Sequence, residues 1–167
     1  ANVYFKLGRL GNDARNVANT LYAHGLYHLG FGRWKDCFRH LDEGTDLAMS
    51  VGDEFSRALA LTIGASAHHY SGSTQTALDT FQELLDSGRK RKNVQHELWG
   101  LTGMAEVLLS FDQHEEAMHY LEQAHRILDQ GDGLSAPRFH GLHAWAHVKA
   151  GDLDRGMSLS LIHISEP

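Results

Sequence analysis

The segment Gly25-Leu26-Tyr27-His28-Leu29-Gly30-Phe31-Gly32-Arg33-Trp34-Lys35-Asp36-Cys37 decides the fold. It holds a turn residue, Gly32, with a small residue seven positions before it (Gly25) and another five after it (Cys37). The same arrangement recurs around Gly72 (Ala65, Ala77), Asp112 (Ala105, Ala117) and Gly151 (Ala144, Gly156), at steps of 40, 40 and 39 residues. Small residues at fixed offsets on both sides of a turn let two antiparallel helices approach closely, so each unit reads as a helical hairpin. Self-similarity at such a period is the mark of a stacked repeat, in which each unit buries its apolar face against its neighbour.

Helical periodicity agrees. Cys37, Leu41, Gly44 and Ala48 step by 4, 3 and 4, as do Ala117, Leu121, Ala124 and Leu128, and this keeps one face of an α-helix inward. Leu21, Leu61 and Leu101 take equivalent places on the first helix of each pair. First helices are predicted over residues 13–30, 54–70, 94–110 and 136–150; second helices over 33–50, 73–87 and 113–129, with a fourth opening near Asp152. Gly52-Asp53 reads as a stop followed by a cap, and Gln130-Gly131-Asp132-Gly133 with Ser135-Ala136-Pro137 does the same later. No stretch alternates apolar and polar residues long enough for a sheet.

The 167 residues carry 15 Lys+Arg against 21 Asp+Glu, for a net charge of −6, and are 42% hydrophobic. That is too apolar for a disordered chain and too acidic for a general nucleic-acid binder. No apolar run approaches the roughly 20 residues of a membrane span. The single Cys fits a reducing, cytoplasmic setting. Residues 1–12 read as the remnant of an upstream element. Leu159-Ser160-Leu161-Ile162-His163-Ile164-Ser165-Glu166-Pro167 resembles a translated sequencing adapter, so residues 159–167 are expected to be a non-native tail on an internal stretch of a longer protein.

The small residues, the glycine turn between them and the large residue four places further on resemble the tetratricopeptide (TPR) pattern, with a unit of 40 rather than the usual ~34 and without its closing Pro. The expected fold is therefore all-α, a right-handed α-solenoid of TPR-like helical hairpins, about 3.5 units spanning residues 13–158. Gly25–Trp34 and Glu97-Leu98-Trp99-Gly100-Leu101 are similar to the C-terminal arrays of bacterial signalling proteins that join a class III adenylate/guanylate cyclase domain to a P-loop ATPase. That resemblance implies a regulatory scaffold for an attached enzyme. A second resemblance, to the ligand-sensing region of large transcriptional activators, implies a small ligand instead.

Catalytic signatures are missing: no P-loop, no H-E-x-x-H helix and no nucleophile elbow. Gly30-Phe31-Gly32 lacks the strand and third glycine of a dinucleotide loop and reads as a hairpin turn. No cofactor is expected. Thirteen histidines are the compositional oddity. His140, His143 and His147 line one helical face that a divalent metal could use. However, His28, His68 and His147 share one register position, and His24 matches His143, which favours hairpin packing over ligation. Cys37 reads as a buried thiol, Glu115-Glu116 as a favourable first turn, and Arg89-Lys90-Arg91-Lys92 as a solvated loop suited to docking. In such an array the first helices line a concave groove. Residues expected there include Tyr22, Leu26, Thr62, His69, Trp99, Thr102, Glu106, Arg138 and Trp145, with Tyr22, His69, Trp99, Glu106, Arg138 and Trp145 the binding candidates. The expected partner is a protein or peptide, or another domain of the same chain, and neither nucleic acid nor a membrane.

Overall fold

The computed structural model describes residues 14–130 and 135–165, with side chains to residue 160. Residues 1–12, the Gly131–Gly133 turn signal and the last two residues of the adapter-like tail lie outside these. Among the described residues the chain is helical throughout and contains no strand: α1 (Ala14–Gly30), α2 (Trp34–Ser50), α3 (Glu54–Tyr70), α4 (Thr74–Arg91), α5 (Val94–Ser110), α6 (His114–Ile127), a 3-10 turn (Leu128–Gln130), α7 (Ala136–Lys149) and α8 (Leu153–Ser165). Backbone helix in α8 continues past residue 159.

Six of the helices, α1 to α5 and α7, stop by one device. After α1, the Gly32 N–H donates to the Leu29 carbonyl (3.0 Å) and the Arg33 N–H reaches back to the His28 carbonyl (2.9 Å). This pair of bonds satisfies carbonyls that the helix end leaves unpaired and needs a left-handed residue between them, here Gly32 at φ +65°. Left-handed residues recur at Gly32, Gly52, Gly72, Lys92 and Asp112, every 20 residues, and again at Gly151. The backbone thus repeats at half the sequence period. Side-chain caps start some of the following helices: Asp53 accepts from the Ser56 N–H and Asn93 from the His96 N–H, both at 3.1 Å.

The described residues form two compact units, one up to Thr80 and the other from Phe81 on, with the division inside α4. In the first, α1 packs on α2 and on α3, and α2 packs on α3. Its core joins Ala18, Tyr22, Cys37, Leu41, Ala48, Ala60 and Ile63. In the second, α6 packs on α5 and α7, α5 also meets α7, and α8 lies on α7. Leu85, Leu98, Leu101, Leu109, Leu121 and Phe139 form its centre.

The eight small residues flanking the hairpin turns are all buried. A Cβ on Gly25 would come within 2.8 Å of Leu41 Cδ2, and one on Gly156 within 2.6 Å of Val148 Cγ2. The large side chains of the facing helix fill the space that glycine leaves.

Two boundaries differ from the sequence expectation. α4 runs on to Arg91 rather than ending near residue 87, so Arg89, Lys90 and Arg91 form its last turn and Lys92 the left-handed residue after it. Cations suit a helix C-terminus, where the backbone dipole is negative. Arg89 donates from Nε to Glu97 Oε1 (3.2 Å) and from an Nη to Gln123 Oε1 (2.7 Å), tying α4 to α5 and α6. The third second helix ends at Ile127 and passes into the 3-10 turn.

Candidate functional site

The residues expected on an open groove separate into three environments. Tyr22 is only 2% exposed: it packs on Gly44, and its hydroxyl donates to the Gly44 carbonyl at 2.8 Å. Burial pushes its phenol up to about 12. Trp99 is likewise buried and stacks on His96 with 5.9 Å between ring centroids. Thr62 and Thr102 are interior too, and their hydroxyls return to the carbonyls of Ala58 and Leu98. These four do not line an open surface.

Glu106 and Arg138 are brought together as an ion pair between α5 and α7, with each side chain partly buried. The Arg138 guanidinium also lies over the Phe81 ring, 5.8 Å from its centroid, a cation–π contact. The pair therefore ties three helices of the second unit. His69 is partly buried beside Tyr70 (5.1 Å between centroids). Trp145, at 36% exposure, is the binding candidate whose ring stands open. Val148, Leu153 and Met157 are exposed on the same α7–α8 hairpin.

In the first unit exposed apolar side chains stand near the α1–α2 turn, and others, Met49, Val51 and Phe55, near the α2–α3 turn. Leu26, Tyr27 and Phe31 are each more than half exposed. Tyr27 and Phe31 sit 4.8 Å apart, and the Arg33 guanidinium lies 5.7 Å over the Phe31 ring. Leu26 was legible as a surface position from its offset; Tyr27 and Phe31 were not. Phe31 has an exposed equivalent two units on in Phe111, one residue before the left-handed Asp112, while Ser71 holds the intervening position.

Eight of the described histidines pack in groups where helices meet. His28 stacks on His40 (5.1 Å, 20° between planes), and His24 lies 5.2 Å from His40. His68 contacts Phe38 at 4.5 Å. In the second unit His125 stacks flat on Phe139 (5.7 Å, 8°), while His143 lies 5.3 Å from Phe139 and 4.9 Å from His147. His140 touches Phe139 edge-on. Burial, then the neighbouring His147, His125, Arg155 and His140, lowers His143 to about 4. Rings laid against one another direct their faces, not their nitrogens, at a common point. Among the described residues no group of three His, Cys, Asp or Glu side chains could hold a metal ion, His140, His143 and His147 included.

Cys37 is fully buried, and burial raises its thiol. A thiol held protonated is a poor nucleophile. Glu115 and Glu116 occupy the first turn of α6, as the sequence suggests. Among the described residues no helix is long and apolar enough to cross a membrane. No protein-family model matches the chain, and no curated protein matches it significantly.

Proposed function

We propose that this chain is a TPR-like helical-repeat scaffold that binds a protein or peptide segment, or another domain of the same polypeptide. The observation that carries this reading is the distribution of side chains. Small residues at a fixed register close each hairpin, while large apolar ones (Tyr27 and Phe31 at one turn, Trp145 and Val148 on α7) remain open to solvent. Exposed aromatics held on rigid helices are favourable anchors, because they bury much area at little entropic cost. A right-handed solenoid is the architecture that stacked hairpins of this kind build. The regulated partner suggested by resemblance, a class III cyclase/ATPase module, would stand elsewhere in the same protein, and recovering the flanking coding sequence tests that part directly.

Selection of displayed peptides against the chain, followed by titration of the enriched sequences, tests the scaffold reading. Trp145→Ala is expected to weaken binding about tenfold or more while leaving the helical circular dichroism unchanged. Failure to enrich any sequence, or affinities indifferent to both Trp145→Ala and Phe31→Ala, would count against it.

A further inference from the structure

The contact between α6 and α7 differs in kind from its counterpart one unit earlier. Stepping back one unit from His125, His143 and His147 gives Leu85, Met104 and Leu108, all apolar and all buried. The later unit puts an imidazole at each of these positions. His147 is 8% exposed, and its Nε2 is buried without a hydrogen-bond partner; His143 is half-buried between His147 and Phe139; His125 covers the outer face of Phe139.

We propose that the His125–His143–His147 cluster is an acid-sensitive latch, closed when the rings are neutral, that releases the α7–α8 hairpin from α6 on protonation. Neutral imidazoles pack there as flat, weakly polar rings. Protonated, they bring like charges close together: His125 faces His143 from α6 (6.3 Å between centroids), His147 (4.9 Å) and His140 flank it on α7, and Arg155 approaches from α8. Opposing charge comes from Asp152 in the α7–α8 turn, 3.6 Å from His147 Nδ1, and it travels with the hairpin that leaves. From α5, Glu106 is engaged by Arg138. The charged neighbours that act on His143 are His147, His125, Arg155 and His140, with no carboxylate among them; of these His125 alone stands across the α6–α7 contact, and separation relieves that pair. The depressed basicity of His143 gives the same sign: the open form takes up the proton more readily, so closure is complete above its ordinary value of 6.5 and is lost as the pH falls toward about 4.

Amide hydrogen exchange on the intact chain, corrected for intrinsic rates, reads the opening at about pH 7.5 and about pH 5. Protection of the amides from His143 to Lys149 is expected to fall about tenfold or more at the lower pH, while α5 changes less than about twofold. The variant His143→Met/His147→Leu, which installs the side chains of the preceding unit, is expected to keep its α7 protection at both values. Equal protection at the two pH values in the unsubstituted chain, an equal loss in α5, or an unchanged acid loss in a folded double variant would each overturn the latch. Should the double variant not fold, His143→Met alone replaces it under the same criteria. The unsubstituted chain can overturn the proposal without either.

Discussion

Lys92 and Asp112 occupy backbone conformations that L side chains rarely adopt, at φ +54° and +59°. The left-handed region costs an ordinary residue about 1–2 kcal/mol, and glycine escapes most of that. Lys92→Gly is therefore expected to stabilise the chain by about 1 kcal/mol, read as a raised urea midpoint at unchanged slope. Asp112 has a compensating contact with Lys149, so the clean test is at Lys92. Gly44 is the opposite case. A Cβ there would lie 2.6 Å from Tyr22 Cε1, and Tyr22 is locked by its hydroxyl bond to the same residue's carbonyl. Gly44→Ala should cost about 1–3 kcal/mol by overpacking, measured in the same denaturation experiment. The small residues at the hairpin turns were legible because size is written directly in sequence. The burial of Tyr22 was not. Its partner, Gly44, is a helix-interior glycine 22 positions away, and nothing in the local pattern says which side of α1 will be covered twice.

At the scale of the element, Asp53 concentrates several roles. It caps α3 through the Ser56 N–H, accepts from the Ser56 hydroxyl at 2.9 Å and pairs with Arg15 of α1 at 2.8 Å. The backbone bond from Ser56, helped by its hydroxyl and by Arg15, holds the carboxyl below its ordinary value against the opposing effect of burial. A carboxylate depressed in the folded state contributes stability that is present above its unfolded value of 3.8 and lost as the pH falls below it. Asp53→Ala should thus cost about 1–2 kcal/mol at neutral pH, with the deficit relative to the unsubstituted chain shrinking under acid titration followed by circular dichroism. A deficit that stayed constant down to about pH 2 would contradict the assignment. This acid window lies below that of the histidine latch, so the two transitions separate along one titration. Gly52-Asp53 was readable as stop and cap because both residues are the usual ones for their tasks. Its counterpart Lys92-Asn93 was hidden, because a lysine at the left-handed position inside a basic run looks like a charged loop. That is also why the 40-residue period stood out while the underlying 20-residue one did not.

For the whole molecule, the all-helical character and most helix bounds were legible, since hairpin turns and 3.6-residue periodicity are local properties. The division inside α4 left no trace in the sequence, because a continuous helix crosses it. The candidate groove was the least legible part: an offset from a small residue gives an angle on one helix, whereas exposure depends on every neighbour that helix acquires. If the units are true repeats, removing one in phase should be tolerated. Deleting residues 73–112 joins Gly72 to Gln113 and restores a left-handed stop followed by a helix start. That chain is expected to keep its helical ellipticity per residue and a cooperative melt, whereas deleting 83–112 is expected to lose both.

The shared helix stop has one more consequence. Because the turns from α1 through α5, within hairpins and between them, are closed by the same two bonds, backbone geometry there does not tell the chain which pairs of helices belong together. Partner choice falls to the fit of bulky side chains into glycine and alanine notches. A substitution that blunts one notch would leave each helix intact yet free to accept the matching helix of another molecule, so defects at Gly25 or Gly44 should surface as exchanged dimers in concentrated solution before they surface as lost helicity.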